Sequence, residues 1–306
     1  MEGTHHGPST VGAPSMFVEV GSAGPQWDDE AACRAVARAI LDLRGVAPDH
    51  HASSDDRRRH LAGFGGGHYA PRFERVVRET AWSVGHVGAD WGLDALPESA
   101  EQSVVEQAFE QSRAAYGLVD GDRPELAETI EDAGYRAVSE TWVRETDGVD
   151  LGLVAALETE LGTVEDGLRF GESARAHEGT KYTVVDLPDG LVEEVTGIDR
   201  ERVTEILDAR TLAFQTAEGG TRPTGTVALK DPDDRESVVD ALVPVLEDRY
   251  DDITREDGRV LARTEQFDPE KAKTFGLSEG PEFGRLASGE AVDIDGRTIP
   301  PEKVRT

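Results

Sequence analysis

Four of the eight histidines in this 306-residue chain stand where they can do chemistry. His5 and His6 are adjacent in Thr4-His5-His6-Gly7-Pro8, His68 follows Gly65-Gly66-Gly67, and His86 follows Gly85 at the end of an expected strand. A glycine before a histidine lets the backbone approach a ligand closely. Glu19 lies inside the apolar run Phe17-Val18-Glu19-Val20, where an unpaired carboxylate would be costly. Imidazoles with a carboxylate suit either a zinc ion or general acid–base work, and the residues alone do not choose between them. His50, His51, His60 and His177 read as solvated or capping loop residues.

The charge map adds a second signal. Residues 57–78 hold six arginines and one glutamate, a local charge of +5 in a chain whose formal net charge is −30. Arg72, Arg75 and Arg78 recur every three residues and so share one broad helical face. The glycine loop at 65–67 runs into that helix, which is expected to begin at Pro71. Free backbone N–H groups and the helix dipole together make an anion site, with Tyr69 offering a stacking face beside it. A polyanion such as RNA fits this patch; the plainer reading is that the arginines pair with the acidic surface around them. No GxxxxGK[ST] occurs, so ATP phosphoryl transfer has no support. A serine-hydrolase elbow is not expected either.

The elements that must position these groups alternate. A strand is expected at 16–21, a helix at 28–44 with Asp28 as its cap, a strand at 60–64, a helix from 71 and a strand at 82–87. A helix at 99–116, a strand at 117–120, a helix at 124–133 and a strand at 135–144 follow. This alternation predicts an α/β fold with a largely parallel or mixed sheet and flanking helices. Three histidine-bearing loops then collect at the carboxyl edge of the sheet. A boundary is expected near Asp147-Gly148, giving domains 1–147 and 148–306. The second carries helices at 150–166, 199–209 and 235–247 and strands at 181–187, 211–216, 224–230 and 259–264. Its last forty residues, rich in Gly and Pro, read as an irregular cap.

Composition sets the environment. Residues 1–150 carry a net −14 and residues 151–306 a net −16, so the acidity is a coat and not a tail. Only five basic residues are Lys (Lys181, Lys230, Lys271, Lys273 and Lys303) against 27 Arg, and aromatic residues make up 6%. Such a chain suits a salt-filled cytoplasm, as in an extreme halophile, where the Debye length is about 3 Å at 1 M and self-repulsion is screened. The single Cys33 excludes a disulfide framework and a cysteine-based zinc site. No apolar run approaches membrane-spanning length, no signal peptide is apparent, and a cytoplasmic location is expected.

The segments THHGP (4–8), FVEVGS (17–22) with Trp27, FGGGHYAPRF (64–73) and GHVGADW (85–91) resemble the archaeal D-aminoacyl-tRNA deacylase family, most closely its longer haloarchaeal members. The resemblance covers residues 1 to about 147 as catalytic core, and the rest looks like an α+β C-terminal extension. It implies a core similar to peptidyl-tRNA hydrolase and phosphorylase folds. The implied activity is hydrolysis of the ester between a D-amino acid and the terminal adenosine of tRNA, with a zinc ion; a monomer is expected. The implied metal ligands are His5, His6, Glu19, His68 and His86, with His6, His68 and His86 as catalytic groups. Gly65, Gly66, Gly67, Tyr69, Arg72, Arg75 and Arg78 would face the tRNA end. Family members carry a segment before the THHGP loop that supplies the first strands, so the core is expected to be N-terminally incomplete. Residues 267–304 look like the GPLxGxLxxGE region of tRNase Z enzymes; the HxHxDH zinc motif of those enzymes is absent, so nuclease activity is not expected. The alternatives are a non-catalytic tRNA-binding remnant and an enzyme of a similar fold acting on a phosphate or nucleoside.

Overall fold

The computed structural model describes residues 18, 20, 21, 23–46, 59–67, 70–256, 258–294 and 296–306. The chain divides into two compact units, Met1–Leu151 and Gly152–Thr306.

The first unit opens with α1 (Gly24–Trp27) and α2 (Glu30–Asp42). The cap of α2 is Asp29, not the expected Asp28: its carboxylate accepts from the N–H groups of Ala31 and Ala32 at 2.9 and 3.1 Å. Asp28 is already used, as the C-terminal cap of α1. The expected apolar face of α2 (Val36, Ile40, Leu43) buries none of the helix's residues. There follow β1 (His60–Gly65), α3 (Pro71–Glu79), β2 (Ser83–Gly88), α4 (Asp90–Leu93), α5 (Glu98–Ser112), β3 (Tyr116–Asp120), α6 (Pro124–Asp132), β4 (Arg136–Val138) and α7 (Glu140–Glu145). The four strands form one parallel sheet in the order β2-β1-β3-β4. The expected strand over 135–144 stops after three paired residues. Ser139 accepts from the Trp142 N–H at 3.0 Å and starts α7 instead.

All six residues of β1 are buried, as the central strand of a sheet covered on both faces requires. Ala62 and Phe64 pack with Val105, Phe109, Leu126 and Ile130 from α5 and α6. Gly63 gives the α3 helix its close approach: a Cβ there would stand 2.8 Å from the Phe73 ring. An aromatic cluster of Trp82, Tyr116 and Trp142 fills the amino-terminal end of the sheet. Arg59 lies over the Trp82 ring and donates to the carbonyls of Thr146, at 2.9 Å, and Val149. His60 is not the solvated residue expected. It is buried at the start of β1, with Nδ1 2.9 Å from the Ser112 carbonyl oxygen.

The second unit contains α8 (Leu151–Leu161), β5 (Leu168–Phe170), α9 (Glu172–Arg175), β6 (Thr183–Asp186), α10 (Leu191–Ile198), α11 (Arg200–Arg210), β7 (Ala213–Ala217), β8 (Arg222–Leu229) and α12 (Asp234–Leu246). Its sheet is antiparallel, in the order β5-β7-β8-β6. Val195, Val203, Leu207 and Leu242 from α10, α11 and α12 pack on Phe214, Val227 and Leu229. A hairpin of β9 (Asp252–Glu256) and β10 (Arg259–Arg263) follows.

The expected irregular cap is ordered. It holds α13 (Pro269–Thr274), α14 (Pro281–Ala287), the hairpin β11 (Val292–Ile294) with β12 (Arg297–Ile299), and a 3₁₀ turn over Pro301–Val304. Ala272, Leu277, Leu286, Val292, Ile299 and Val304 give it a core of its own. Gly276-Leu277-Ser278-Glu279-Gly280 does spell GxSxG. It joins two helices, whereas a nucleophile elbow needs a strand running into a helix, so the serine is not presented for attack. No helix among the described residues is long and apolar enough to cross a membrane.

Candidate active site

The sheet order locates the ligand edge. From β1 the chain steps through α3 to β2 on one side, then returns through α5 to β3 on the other side of β1. The winding therefore reverses between β1 and β3. At such a switch point the connections diverge and leave a crevice outside the carboxyl ends of the strands.

The glycine loop stands at that crevice. Gly65 pairs in register with Asp120, the last residue of β3. Gly65 and Gly66 have φ of +90° and +79°, conformations that favour glycine. A Cβ on Gly65 would lie 2.1 Å from the Asp120 carbonyl oxygen, and one on Gly66 would lie 2.6 Å from Asp120 Oδ2. A Cβ on Gly67 would meet open space. The first two glycines thus let β3 close against the loop, and the third faces outward. Ala70 then turns the chain into α3 with φ +44° and ψ 50°, left-handed for a buried non-glycine residue. That conformation costs about 1–2 kcal/mol, strain held at the loop's junction with the helix. Ala70, as the N-cap, offers no side-chain hydrogen bond to α3.

Three carboxyl-end loops are tied together. The Asp90 N–H, after β2, donates to the Gly66 carbonyl at 3.1 Å. Arg123, after β3, places Nη2 2.7 Å from Oδ1 of both Asp90 and Asp94. Arg72, in the first turn of α3, places Nε 2.8 Å from Asp120 Oδ1 and 3.7 Å from Glu140 Oε2. Beside the β3 loop a cavity of 430 Å³ is lined by Glu101, Asp122, Arg123, Pro124, Glu125 and Leu126.

The arginine patch is not a bare positive field. Arg75 makes a two-pronged contact with Glu140 at 3.0 and 2.7 Å, and Arg144 bridges Glu140 and Glu79. The hydrogen bond from Arg75, helped by Arg144, holds the Glu140 carboxyl below its ordinary pKa against the opposing effect of burial. Arg78 pairs with Glu74 one turn back at 2.9 Å. Each arginine of the α3 face therefore has an acidic partner, and Arg59 is spent on the carbonyls at the end of the unit. Arg57 and Arg58 lie outside the described residues.

Of the expected imidazole and carboxylate ligands, His86 alone is described; His5, His6, Glu19 and His68 lie outside the described residues, as does Tyr69. His86 sits on β2 opposite Ala62, two residues before that strand ends. Its residue surface is open to solvent, yet the protein around the ring desolvates it and lowers its pKa below the ordinary 6.5. A free imidazole at pH 7 is the consequence. The sign of the linkage follows: stability tied to His86 is intact above pH 6.5 and is lost as the pH falls from 6.5 toward the lowered folded value. An NMR titration, with the signal assigned by its loss in His86→Gln, should give a midpoint below 6.5; a midpoint at or above it would contradict the burial. Among the described residues no three His, Cys, Asp or Glu side chains converge as a metal site requires. The described donor set therefore does not by itself make the expected zinc site.

Asp120, Arg123 and Glu140 carry no motif in the sequence, and Asp90 is marked only as part of GHVGADW (85–91). The available signal for Asp120 was its place at the end of the apolar run Tyr116-Gly117-Leu118-Val119, before Gly121.

The fold and its loops define an α/β protein whose ligand edge is a glycine loop at a topological switch point. Residues 1–138 match the family model of D-aminoacyl-tRNA deacylase. A D-aminoacyl-tRNA deacylase of Haloarcula marismortui is 51% identical over 99% of this chain and 68% of its own length. One of Halobacterium salinarum is 52% identical over 99% of this chain and 66% of its own. A crystal structure of a conserved protein of unknown function is 29% identical, covering 48% of this chain and 50% of that one with a TM-score of 0.38. The chain belongs to the D-aminoacyl-tRNA deacylase family, and it spans about two thirds of the length of the curated relatives it matches.

Proposed function

We propose that the chain hydrolyses the ester of D-aminoacyl-tRNA, releasing free tRNA and a D-amino acid. The observation that supports this most is its identity, near one residue in two along almost its whole length, to haloarchaeal relatives that carry that name. The switch-point loop supports the reading as a candidate site. Water adds to the ester carbonyl, the bond to the ribose oxygen breaks, and the proton taken from water returns to that oxygen. An imidazole neutral at pH 7 is suited to move that proton, and His86 is the described candidate beside His6 and His68. Backbone N–H groups of Gly65–Gly67 suit the developing oxyanion. Arg72 suits a phosphate of the acceptor end, with Arg75, Arg78 and Tyr69 farther along the same strand of RNA. Zinc belongs to this reading as a proposal, with ligands drawn from His5, His6, Glu19, His68 and His86. Metal content of the purified protein, before and after His86→Ala, tests it. The reading places the protein as a monomer in a salt-rich cytoplasm.

The deciding experiment is deacylation of D-Tyr-tRNA against L-Tyr-tRNA in multimolar KCl. D-selective release is expected. Equal release of both, or tRNA binding without any release from folded protein, would favour a non-selective esterase or a binding remnant instead.

A further inference from the structure

Asp120 closes β3 at the switch point in register with Gly65, and a Cβ on Gly65 would meet its carbonyl oxygen and one on Gly66 its carboxylate. The same carboxylate holds Arg72 Nε at 2.8 Å. Asp120 is mostly withdrawn from solvent, its side chain 20% exposed, whereas Arg72 retains 35%. Arg72 makes its closest approach to both Asp120 and Glu140 through Nε.

We propose that Asp120 is a positioning residue for the acceptor end of tRNA, acting through Arg72. An arginine side chain is long and rotamer-rich, and ordering it for a phosphate costs conformational entropy. A carboxylate fixed by the end of a central strand removes that freedom before the ligand arrives. It also balances the Arg72 charge while the site is empty, and the glycines at 65 and 66 are what let it stand so close. Glu140 does not serve this purpose: its oxygens are committed to Arg75 and Arg144, and Arg72 is 3.7 Å away. The proposal rests on the deacylase reading for its substrate and on the geometry alone for its pair.

The test is a double-mutant cycle in multimolar KCl with Asp120→Ala, Arg72→Ala and the double variant, and Asp120→Asn as the isosteric control. Two quantities are read: KM and kcat for D-Tyr-tRNA, and Kd for uncharged tRNA. Each single alanine variant should raise KM and Kd roughly tenfold with kcat within about twofold, and the double variant should be no worse than Arg72→Ala. Asp120→Asn, which keeps the shape beside Gly66, should fall between wild type and Asp120→Ala. Thermal unfolding of each variant separates loss of fold from loss of positioning. Additive effects in the double variant, or an unchanged Kd in Asp120→Ala, would overturn the proposal. If wild type binds tRNA but does not deacylate it, the deacylase reading fails while the Kd cycle still decides the role of Asp120.

Discussion

Replacing Gly65 with alanine should produce the largest loss of any single methyl group in the first unit. The new Cβ would stand 2.1 Å from the Asp120 carbonyl oxygen, in a position with φ of +90°. The obstacle is backbone at the carboxyl end of a central strand, so it cannot swing aside as a side chain would. Left-handed strain and overpacking each contribute 1 kcal/mol or more, and about 3 kcal/mol together is expected. A ligand loop displaced by this much should also lower kcat/KM at least about 100-fold, the scale of losing one donor of an oxyanion hole. Gly67→Ala is the control for folding, since its Cβ meets open space and its stability should shift by no more than about 0.5 kcal/mol. Calorimetry of both variants checks the pair. Equal stability of Gly65→Ala and wild type would mean that β3 does not close on the loop as described.

The second large effect is that of salt. Both halves of the chain carry strong negative charge, −14 and −16. Lowering KCl from molar to decimolar lengthens the Debye screening distance from about 3 to about 10 Å, so repulsion then reaches across the surface. The numerous exposed ion pairs, such as Arg78–Glu74 and Lys273–Glu270, are each worth too little to resist it. Far-ultraviolet circular dichroism should report loss of most helical signal on dialysis to about 0.1 M KCl and its return in molar KCl. A fold unaffected by that dialysis would show that paired charges, and not screening, govern its stability.

Much of the first unit was legible because its elements are local. Apolar strands ending in glycine, a proline at the start of α3 and alternation with helices all act within a few residues. What escaped depends on contacts distant in sequence. The strand expected over 135–144 ends early because Ser139 caps a helix whose Trp142 packs in the aromatic cluster. His60 looked like a loop residue until the sheet buried it against Ser112. The arginine patch is visible as charge, but its partners Asp120 and Glu140 are supplied by other elements. Asp120 itself could be found only once β1 and β3 were known to be neighbours. The terminal module has no legible pattern because its elements are very short, and a core of its own, not periodicity, holds them together. Four of the five expected metal ligands lie outside the described residues, so that part of the site rests on the family resemblance.

The central claim is that tRNA is received at the β1–β3 switch point. Amide hydrogen exchange of the whole chain, with and without uncharged tRNA at the lowest KCl that keeps it folded, tests this directly. Protection is expected in the peptides that carry Gly65–Gly67, Arg72, Asp90 and Asp120–Arg123. Protection confined to residues 152–306, with these segments exchanging as in the free protein, would contradict it.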